Sequence, residues 1–389
     1  MVNTKVGYSE AVNPFESGVE TAKKALADKA KVGLLFTSCV QDQKEIIKGV
    51  KSVMGDVPFL GCTSSAAICT HDGYLNKETG YSGMMTFSED VEVVVAGSEK
   101  TNESAREIGK KIAKEAIAQL KGKDKEPDYL FMTASPAEEE EYLKGIQDVI
   151  GTVPVFGGSA ADNTVEGKWS IICNDKVFSD GCAIAIFYAD NEFKNIYTGA
   201  YEETNNVGII TKLDGLRTLV EIDGVPAVQK YADWTGKKVE DLAGDKLLVE
   251  TICAPLGVKD PIGNVIAVRH PMYANENLSM NIGANLAVNT AVIQLTNTPE
   301  GILKANETTV KELNTKMNND IQSYFLVHCG GRRLGLAISE IEDKIYPEVK
   351  KITGDKEFLM VFTFGEYGSN EHSANTVGGL SLSYTAFSK

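Results

Sequence analysis

Apolar and polar positions follow a strand–helix–strand pattern that occurs twice in the chain. With a shift of 96 positions, Gly33–Gly61 aligns without a gap on Tyr129–Gly157, and ten of the 29 aligned residues are identical. A self-match at a fixed spacing indicates a duplicated structural unit.

Each copy of this block predicts a βαβ unit. The apolar runs 32–36 and 129–132 are short and do not alternate, which is typical of buried strands. Acidic residues follow each run, and carboxylates favour the first turn of a helix. Apolar residues then recur at helical spacing until Gly55 and Gly151, which can end a helix in a left-handed cap.

Further strands follow the first copy and fill the second half of the chain. Because Ser88–Asp90 has the composition of a turn, we predict that Met84–Phe87 and Val91–Gly97 form an antiparallel hairpin. The second half repeats the strand–helix–strand pattern only weakly. We therefore predict an α/β (mixed α+β) fold with duplicated βαβ-plus-hairpin units, in which mixed sheets pack between helix layers in two halves.

Composition excludes several classes of partner. The 389 residues carry a net charge of −15 without a basic stripe, so we expect neither nucleic acid nor a membrane surface as a partner. The seven cysteines show no C-x-x-C or zinc spacing, which favours reduced thiols in the cytoplasm. No dinucleotide or P-loop motif occurs in a suitable context, so no cofactor or metal is expected.

Two segments and several short motifs resemble the FIST family. Val57–Ala66 and Val153–Asp162 resemble the signature segments of the FIST N-terminal domain. The motifs that resemble the FIST C-terminal domain are, in order, Glu221–Ala227, Arg269, Cys329–Arg332, Phe364–Glu366 and Asn375–Thr376. His372 departs from the pattern, because it lies three positions before Asn375 instead of beside it.

The resemblance covers nearly the whole chain and implies both its domains and its function. Residues 1–205 would be a FIST N-terminal-like domain with the internal 96-residue repeat, and residues 206–389 a FIST C-terminal-like domain. The family implies a sensory module that binds small molecules, here a small polar, amino-acid-like metabolite. The two domains are expected to occupy the 389 residues without an attached output domain, so either the protein signals through a separate signalling protein or the module serves another purpose.

Small and polar residues at the predicted strand ends are the candidate ligand-binding residues, because glycine admits a ligand and hydroxyl and N–H groups bind its oxygens. In the first half they are Thr37, Ser38, Gly61, Cys62, Thr63, Ser64, Ser65, Gly157, Gly158, Ser159 and Asp162; in the second half they are Cys329, Arg332, Glu366 and Asn375. Arg332 would bind a ligand carboxylate and Glu366 an ammonium group. Alternatively, these residues make tight turns or pair with one another.

Two other classes of function remain open. Cys39, Cys62 and Cys329 each follow a strand, so a cysteine-dependent hydrolase or transferase is possible if a histidine lies nearby in space. Free cysteines are usually buried apolar residues, so we assign no catalytic residue and favour a protein that is not an enzyme. A non-catalytic scaffold for a signalling partner is the third hypothesis. The acidic run Glu138–Glu141 is expected to be a solvated helix start.

Overall fold

The first unit of the chain is a sheet covered by two helices. The computed structural model describes residues 2–120, 125–369 and 375–389. The elements of this unit are β1 (Val2–Ser9), α1 (Pro14–Ala25), β2 (Ala30–Ser38), α2 (Gln43–Met54), β3 (Phe59–Ser64), β4 (Ile68–Thr70), β5 (Gly73–Leu75) and β6 (Ser82–Glu89). The strands lie in the order β1–β6–β2–β3, with β2 and β3 parallel and β6 antiparallel to both its neighbours.

The second unit repeats this topology. Its elements are β7 (Val91–Glu99), α3 (Ala105–Ile117), β8 (Tyr129–Ala134), α4 (Glu139–Ile150), β9 (Val155–Gly158), β10 (Ile171–Cys173), β11 (Lys176–Phe178) and β12 (Gly181–Ala189). The order β7–β12–β8–β9 is the same as in the first unit, again with one parallel pair. The predicted duplication is therefore present in three dimensions.

The rest of the chain forms a third unit that contains an inserted region. After β13 (Phe193–Thr198), the inserted region consists of β14 (Glu202–Asp214), β15 (Thr218–Ile222), β16 (Val225–Pro226), α5 (Ala227–Thr235), α6 (Lys246–Glu250), β17 (Leu256–Lys259), β18 (Val265–Arg269), β19 (Pro271–Ala274), β20 (Met280–Ile282) and β21 (Ala291–Thr296). The third unit continues with α7 (Pro299–Lys316), β22 (Ile321–Cys329), α8 (Gly330–Ile338), α9 (Ile345–Thr353), β23 (Glu357–Thr363), β24 (Glu366–Ser369), β25 (Asn375–Gly378) and β26 (Leu382–Ser388). Its order β13–β26–β22–β23 matches the other two units, so the weak repeat in the second half is a third copy.

Each unit donates a hairpin to the sheet of another unit. The hairpin β4–β5 extends the third sheet next to β23, and β10–β11 extends the first sheet next to β3. The hairpin β24–β25 extends the second sheet next to β9. The exchange closes a ring of three units, in which each sheet contains strands that are distant in sequence.

Aromatic side chains fill the space between the three sheets. One ring each from β2, β8 and β22 meets the other two, with centroids 5.4–6.3 Å apart; these are Phe36, Phe131 and Phe325. From the equivalent strands β6, β12 and β26, Phe87 lies 5.1 Å from Phe187 and 5.0 Å from Phe387. Burial of large rings dominates the energetics of a core, so this shared core holds the three units together.

The predicted hairpin between Met84–Phe87 and Val91–Gly97 is wrong. β6 pairs with β1 on one edge and with β2 on the other, so neither edge of β6 is free for β7. β7 instead begins the second unit and pairs with β12. The chain does turn at Ser88–Asp90, as predicted, but the turn connects strands of two different sheets.

The gapless alignment of the two copies needs a shift of one residue in the first strand. A Cβ on Gly61 would clash with the carbonyl oxygen of Leu35, and a Cβ on Gly157 would clash with that of Met132. Leu35 and Met132 are therefore equivalent although they are 97 positions apart, whereas Gly61 and Gly157 are 96 positions apart. Because side chains alternate along a strand, the gapless register places Leu34 and Leu130 on opposite faces.

Candidate functional site

The loops after β3, β9 and β23 meet where the three units come together. Their backbone hydrogen bonds, each 2.8–2.9 Å long, are Ser65 N–H to Phe362 O, Ala161 N–H to Thr63 O and Ser159 N–H to Gly365 O. The strand ends are thus neighbours, as open α/β sheets favour for ligand sites. However, these N–H groups bind protein carbonyls and are not free for a ligand.

Most candidate residues of the first half are buried within the protein. Those that are buried and do not line the cavity at the N-terminus of α8 are Thr37, Ser38, Gly61, Cys62, Thr63, Ser64, Gly157, Gly158, Ser159 and Asp162. The hydroxyl of Thr37 donates to Gln43 over 2.5 Å, and that of Ser64 donates to the carbonyl of Ala67 over 2.6 Å. The Asp162 carboxylate accepts four backbone N–H groups of the loop 164–168. The side chains of Thr37, Ser64 and Asp162 thus form hydrogen bonds within the protein.

A cavity of about 60 Å³ lies at the N-terminus of α8. The cavity is thus larger than the roughly 10–15 Å³ that a single water molecule needs. Of the predicted residues, Ser65 and Cys329 line this cavity. The other walls come from the inserted region, with His270 and Met272, from the loop after β9, with Asn163 and Val165, and from the start of α8.

Cys329 is the N-cap residue of α8. Its Sγ accepts the N–H groups of Gly331 at 3.3 Å and Leu380 at 3.2 Å. A helix N-terminus usually lowers the pKa of a thiol. Here burial, together with the nearby carboxyl group of Glu366, outweighs those hydrogen bonds and raises the pKa of Cys329 to about 12. At neutral pH the side chain is therefore a thiol and not an activated thiolate.

The remaining cysteines also have raised pKa values. Burial raises the pKa of Cys62 and of Cys173 to about 12, and it raises the pKa of Cys69 and Cys182 as well. The partly exposed Cys39 and Cys253 have raised pKa values for the same reason. No cysteine pKa is shifted in the direction that a nucleophilic enzyme requires.

We expect thiol alkylation at neutral pH to modify Cys39 and Cys253 at least about tenfold faster than the other five cysteines. Buried thiols react only when the structure opens locally. Mass spectrometry of peptides from iodoacetamide time courses measures the rates, and urea-unfolded protein, in which all seven should react alike, is the control. Fastest labelling of Cys329 would contradict the prediction and favour the cysteine-dependent enzyme.

Arg332 is buried and binds backbone carbonyl groups. Its Nη1 donates to Gly199 O at 2.5 Å and to Leu380 O at 3.2 Å, and its Nη2 donates to Ile302 O at 3.2 Å. The guanidinium also lies over the ring of Tyr201, 5.4 Å from the centroid. These contacts join α8 to β13, α7 and the loop before β26, and they leave Arg332 outside the cavity wall.

Glu366 and Asn375 also face the protein interior. One Glu366 carboxyl oxygen accepts the Thr363 hydroxyl at 3.1 Å, and the other accepts the Ser381 N–H at 3.0 Å. Burial raises the pKa of Glu366 to about 8 despite these bonds. The Asn375 amide donates to Val153 O at 2.6 Å and joins β25 to the loop before β9. The structure thus does not bring Arg332 and Glu366 together on a ligand-facing wall.

Sequence reasoning missed His270 and Arg333, which both line the cavity. The His270 Nε2 lies 2.9 Å from Leu248 O, and burial lowers the pKa of His270 to about 4, so the ring is neutral and donates this bond. The Arg333 Nη1 donates to Glu342 at 2.8 Å, while its Nε has no acceptor among the described residues. Of the two adjacent arginines, only Arg332 belongs to the motif that resembles the FIST C-terminal domain. His372 lies outside the described residues.

The prediction of a solvated acidic run at Glu138–Glu141 is wrong for Glu139, which is 2% exposed. Its carboxylate accepts the Ser159 hydroxyl at 2.8 Å and the guanidinium of Arg217 at 2.6 Å. Arg217 also binds Glu140 at 2.5 Å. Because Arg217 belongs to the inserted region, the start of α4 is covered by a segment distant in sequence. Among the described residues, no cluster of three or more His, Cys, Asp or Glu is placed to hold a metal ion.

Comparison with known protein families finds two domains in this chain. The FIST N domain matches residues 31–225, and the FIST C domain matches residues 227–369. FIST domains are sensory domains of signal transduction. The chain belongs to the FIST family.

Two individual proteins are similar to this chain. An uncharacterized protein of Methanocaldococcus jannaschii is 28% identical over 240 residues, which cover 58% of this chain and 45% of that protein. The chain therefore spans less than half the length of this relative. A solved structure of cyanuric acid hydrolase covers 99% of both chains with a TM-score of 0.32 and 9% identity, a likeness too low to inform fold or activity. In the described part of the chain, no helix is long and apolar enough to cross a membrane.

Proposed function

We propose that this protein binds a small polar, amino-acid-like metabolite in the cavity at the N-terminus of α8 and serves as a signal input. The observation that carries the proposal is this cavity of about 60 Å³, which combines a helix N-terminus with Ser65, His270 and Arg333. A separate signalling protein would read the bound state, and the location would be the cytoplasm. Membership of the FIST family supports a sensory role.

The position of the cavity suggests how binding is transmitted. Its walls combine the first unit at Ser65, the second unit at Asn163 and Val165, the third unit at α8 and the inserted region at His270. A ligand that contacts the inserted region together with the other walls binds best when the inserted region is docked on the ring. Such differential affinity is what a ligand needs to shift a conformational equilibrium. The docked surface would then be the feature that a partner recognises.

A thermal-melt screen with amino acids and small organic acids tests the proposal. A ligand at 100 times its dissociation constant should raise the free energy of unfolding by about 2.7 kcal/mol, which gives a measurable rise in melting temperature. The G331A variant should abolish the rise, because its new Cβ would lie 3.1 Å from Leu380 Cδ2 and 3.5 Å from both Cys329 Sγ and His270 Cε1, at the cavity wall.

The G73A variant is the matched control. Gly73 lies in β5 with no atom within 4 Å of an added Cβ and without a positive φ, so its response should equal that of the wild type. A rise that persists in G331A would place the ligand elsewhere. No response to any compound would contradict the proposal and leave the scaffold hypothesis, which needs no small molecule.

A further inference from the structure

The inserted region leaves the ring and returns to it at one point. It follows β13 and precedes α7, and the Asn297 amide donates to Ala200 O at 2.6 Å, which joins the two connecting segments. Next to this point the inserted region packs on the third unit through apolar side chains that include Val268 and Leu295. Two adjacent connections fix a region at one point only, as a hinge between domains does. We call this point the hinge.

An ionic contact holds the inserted region at the other end of β14. Arg217 lies in the turn after β14, whose 13 residues begin beside the hinge. Its Nη2 donates to Glu139 at 2.6 Å and to Glu140 at 2.5 Å, both at the start of α4 in the second unit. The side chains of Arg217 and Glu140 are 19% and 15% exposed. The inserted region is therefore attached to the third unit by the hinge and to the second unit by buried charges.

Asn285 connects this ionic contact to the cavity wall. Its Oδ1 accepts Arg217 Nε at 3.0 Å, and its N–H donates to Glu140 at 2.8 Å. Its carbonyl oxygen accepts Arg269 Nε at 3.0 Å. Arg269 directly precedes His270, which lines the cavity. Separation of the ionic contact would therefore displace this part of the cavity wall.

On the ring side, the ionic contact leads to a second residue of the cavity wall. Glu139 accepts the Ser159 hydroxyl at 2.8 Å, and the Ser159 carbonyl oxygen accepts the N–H of Phe364 at 3.4 Å. Phe364 lines the cavity. The two sides of the ionic contact are thus each linked by hydrogen bonds to a different wall of the cavity.

The charges of the ionic contact make this attachment reversible. Burial removes hydration from one guanidinium and two carboxylates, and the attraction between these groups offsets only part of that loss. When the inserted region separates from α4, all three groups regain water. The end of the inserted region at Arg217 can therefore open with a smaller loss of free energy than the apolar contact at the hinge.

We propose that Arg217 is a positioning residue of the ligand cavity, which holds the inserted region against Glu139 and Glu140 so that His270 closes the cavity over Cys329. The inference rests on the proposed function and adds to it the residue that controls access to the cavity. The ligand enters while the ionic contact is open. Once bound, it favours the closed arrangement, because only that arrangement provides all the cavity walls.

Alkylation of Cys329 by iodoacetamide at neutral pH measures the opening without any ligand. Cys329 lines the cavity and is 3% exposed, and a Cβ on Gly331 would lie 3.5 Å from both Cys329 Sγ and His270 Cε1. R217Q leaves two adjacent buried carboxylates without their cation, so the rate for Cys329 should rise at least about tenfold. R217K keeps a cation, although without the planar guanidinium, and should restore most of the protection.

The other buried cysteines are internal controls. Among the described lining residues, Cys329 is the only cysteine. The rates in R217Q should therefore stay at wild-type values for Cys62, Cys69, Cys173 and Cys182. R106Q, which breaks the exposed pair with Asp148 of α4, is the matched arginine variant and should leave all the rates unchanged. If R217Q does not fold, E140Q takes its place with the same result expected.

The outcomes separate this inference from the proposed function. A rise that is confined to Cys329 and reversed in R217K supports the inference. An unchanged rate for Cys329 in R217Q, or an equal rise for all the buried cysteines, would overturn it and leave the proposed function intact. If Cys329 alone reacts faster but no compound shifts the melting temperature, the proposed function fails, while the role of Arg217 in closing the cavity stands.

Discussion

Replacing Arg332 with methionine should lower the free energy of unfolding by at least about 2 kcal/mol. The substitution removes the donors to the carbonyl oxygens of Gly199, Leu380 and Ile302. The Ile302 carbonyl still accepts a hydrogen bond from Asn306 Nδ2, so the loss falls on Gly199, which is partly buried, and on Leu380. Each carbonyl left without a partner costs about 1–3 kcal/mol. Methionine is of similar length and apolar, so the loss of donors dominates over any cavity. Urea denaturation followed by circular dichroism measures the change.

Arg332→Lys and R106Q provide the controls for this prediction. Lysine keeps a charged donor but cannot reach three carbonyls in the planar arrangement of a guanidinium, so its stability should lie between wild type and R332M. R106Q should leave the stability close to that of the wild type, because its ion pair with Asp148 is exposed. Wild-type stability in R332M, combined with lost ligand affinity, would instead favour the role predicted from the sequence, that of a ligand-binding residue.

Replacing Glu366 with glutamine should remove a stability loss that the wild type shows as pH rises. The ordinary carboxyl pKa is 4.5, and in the folded protein burial raises it to about 8. Between these values the folded state holds a proton that the unfolded state has lost. The free energy of unfolding therefore falls with rising pH in this window, by at most about 1.4 kcal/mol per pH unit and about 5 kcal/mol in all.

The measurement is the difference in unfolding free energy between wild type and E366Q from pH 4.5 to 9. The unfolding free energy of E366Q relative to that of the wild type should rise through this window and stay constant above pH 8. Other titrating groups, such as His270, are the same in both proteins and cancel in the difference. E140Q is a carboxylate control from the ion pair with Arg217. A difference that does not change with pH would show that Glu366 is ionised throughout.

Local sequence patterns predicted much of the fold. The repeat, the helices α2 and α4, and their glycine ends follow from spacing that acts within one or two turns of chain. The incorrect predictions concern which strands pair with one another and in which register. The edges of β6 are taken by β1 and β2, and the one-residue shift between Leu35 and Met132 became visible only from strand contacts. Strand pairing depends on which distant segment of the chain lies next to the edge of a strand, and this cannot be predicted from local composition.

The candidate site, too, could be predicted from the sequence only in part. Ser65 and Cys329 were identified from small residues at strand ends, and both line the cavity. Of the adjacent arginines, the sequence favoured Arg332, which binds carbonyl groups, whereas Arg333 lines the cavity. Successive helical residues point about 100° apart, so their roles depend on the rotation of α8 against its neighbours. His270 had no signal, because the inserted region brings it to Cys329 from sixty residues away.

The family, the repeated βαβ unit and the strand ends at which small residues collect could all be predicted from the sequence, because they depend on short-range periodicity and on ordered motifs. The three units, the hairpin that each donates to another, and the cavity between all three units and the inserted region became apparent only in three dimensions. Burial and charge at a site are set by every segment that packs around it, so they emerge only once those segments are in place.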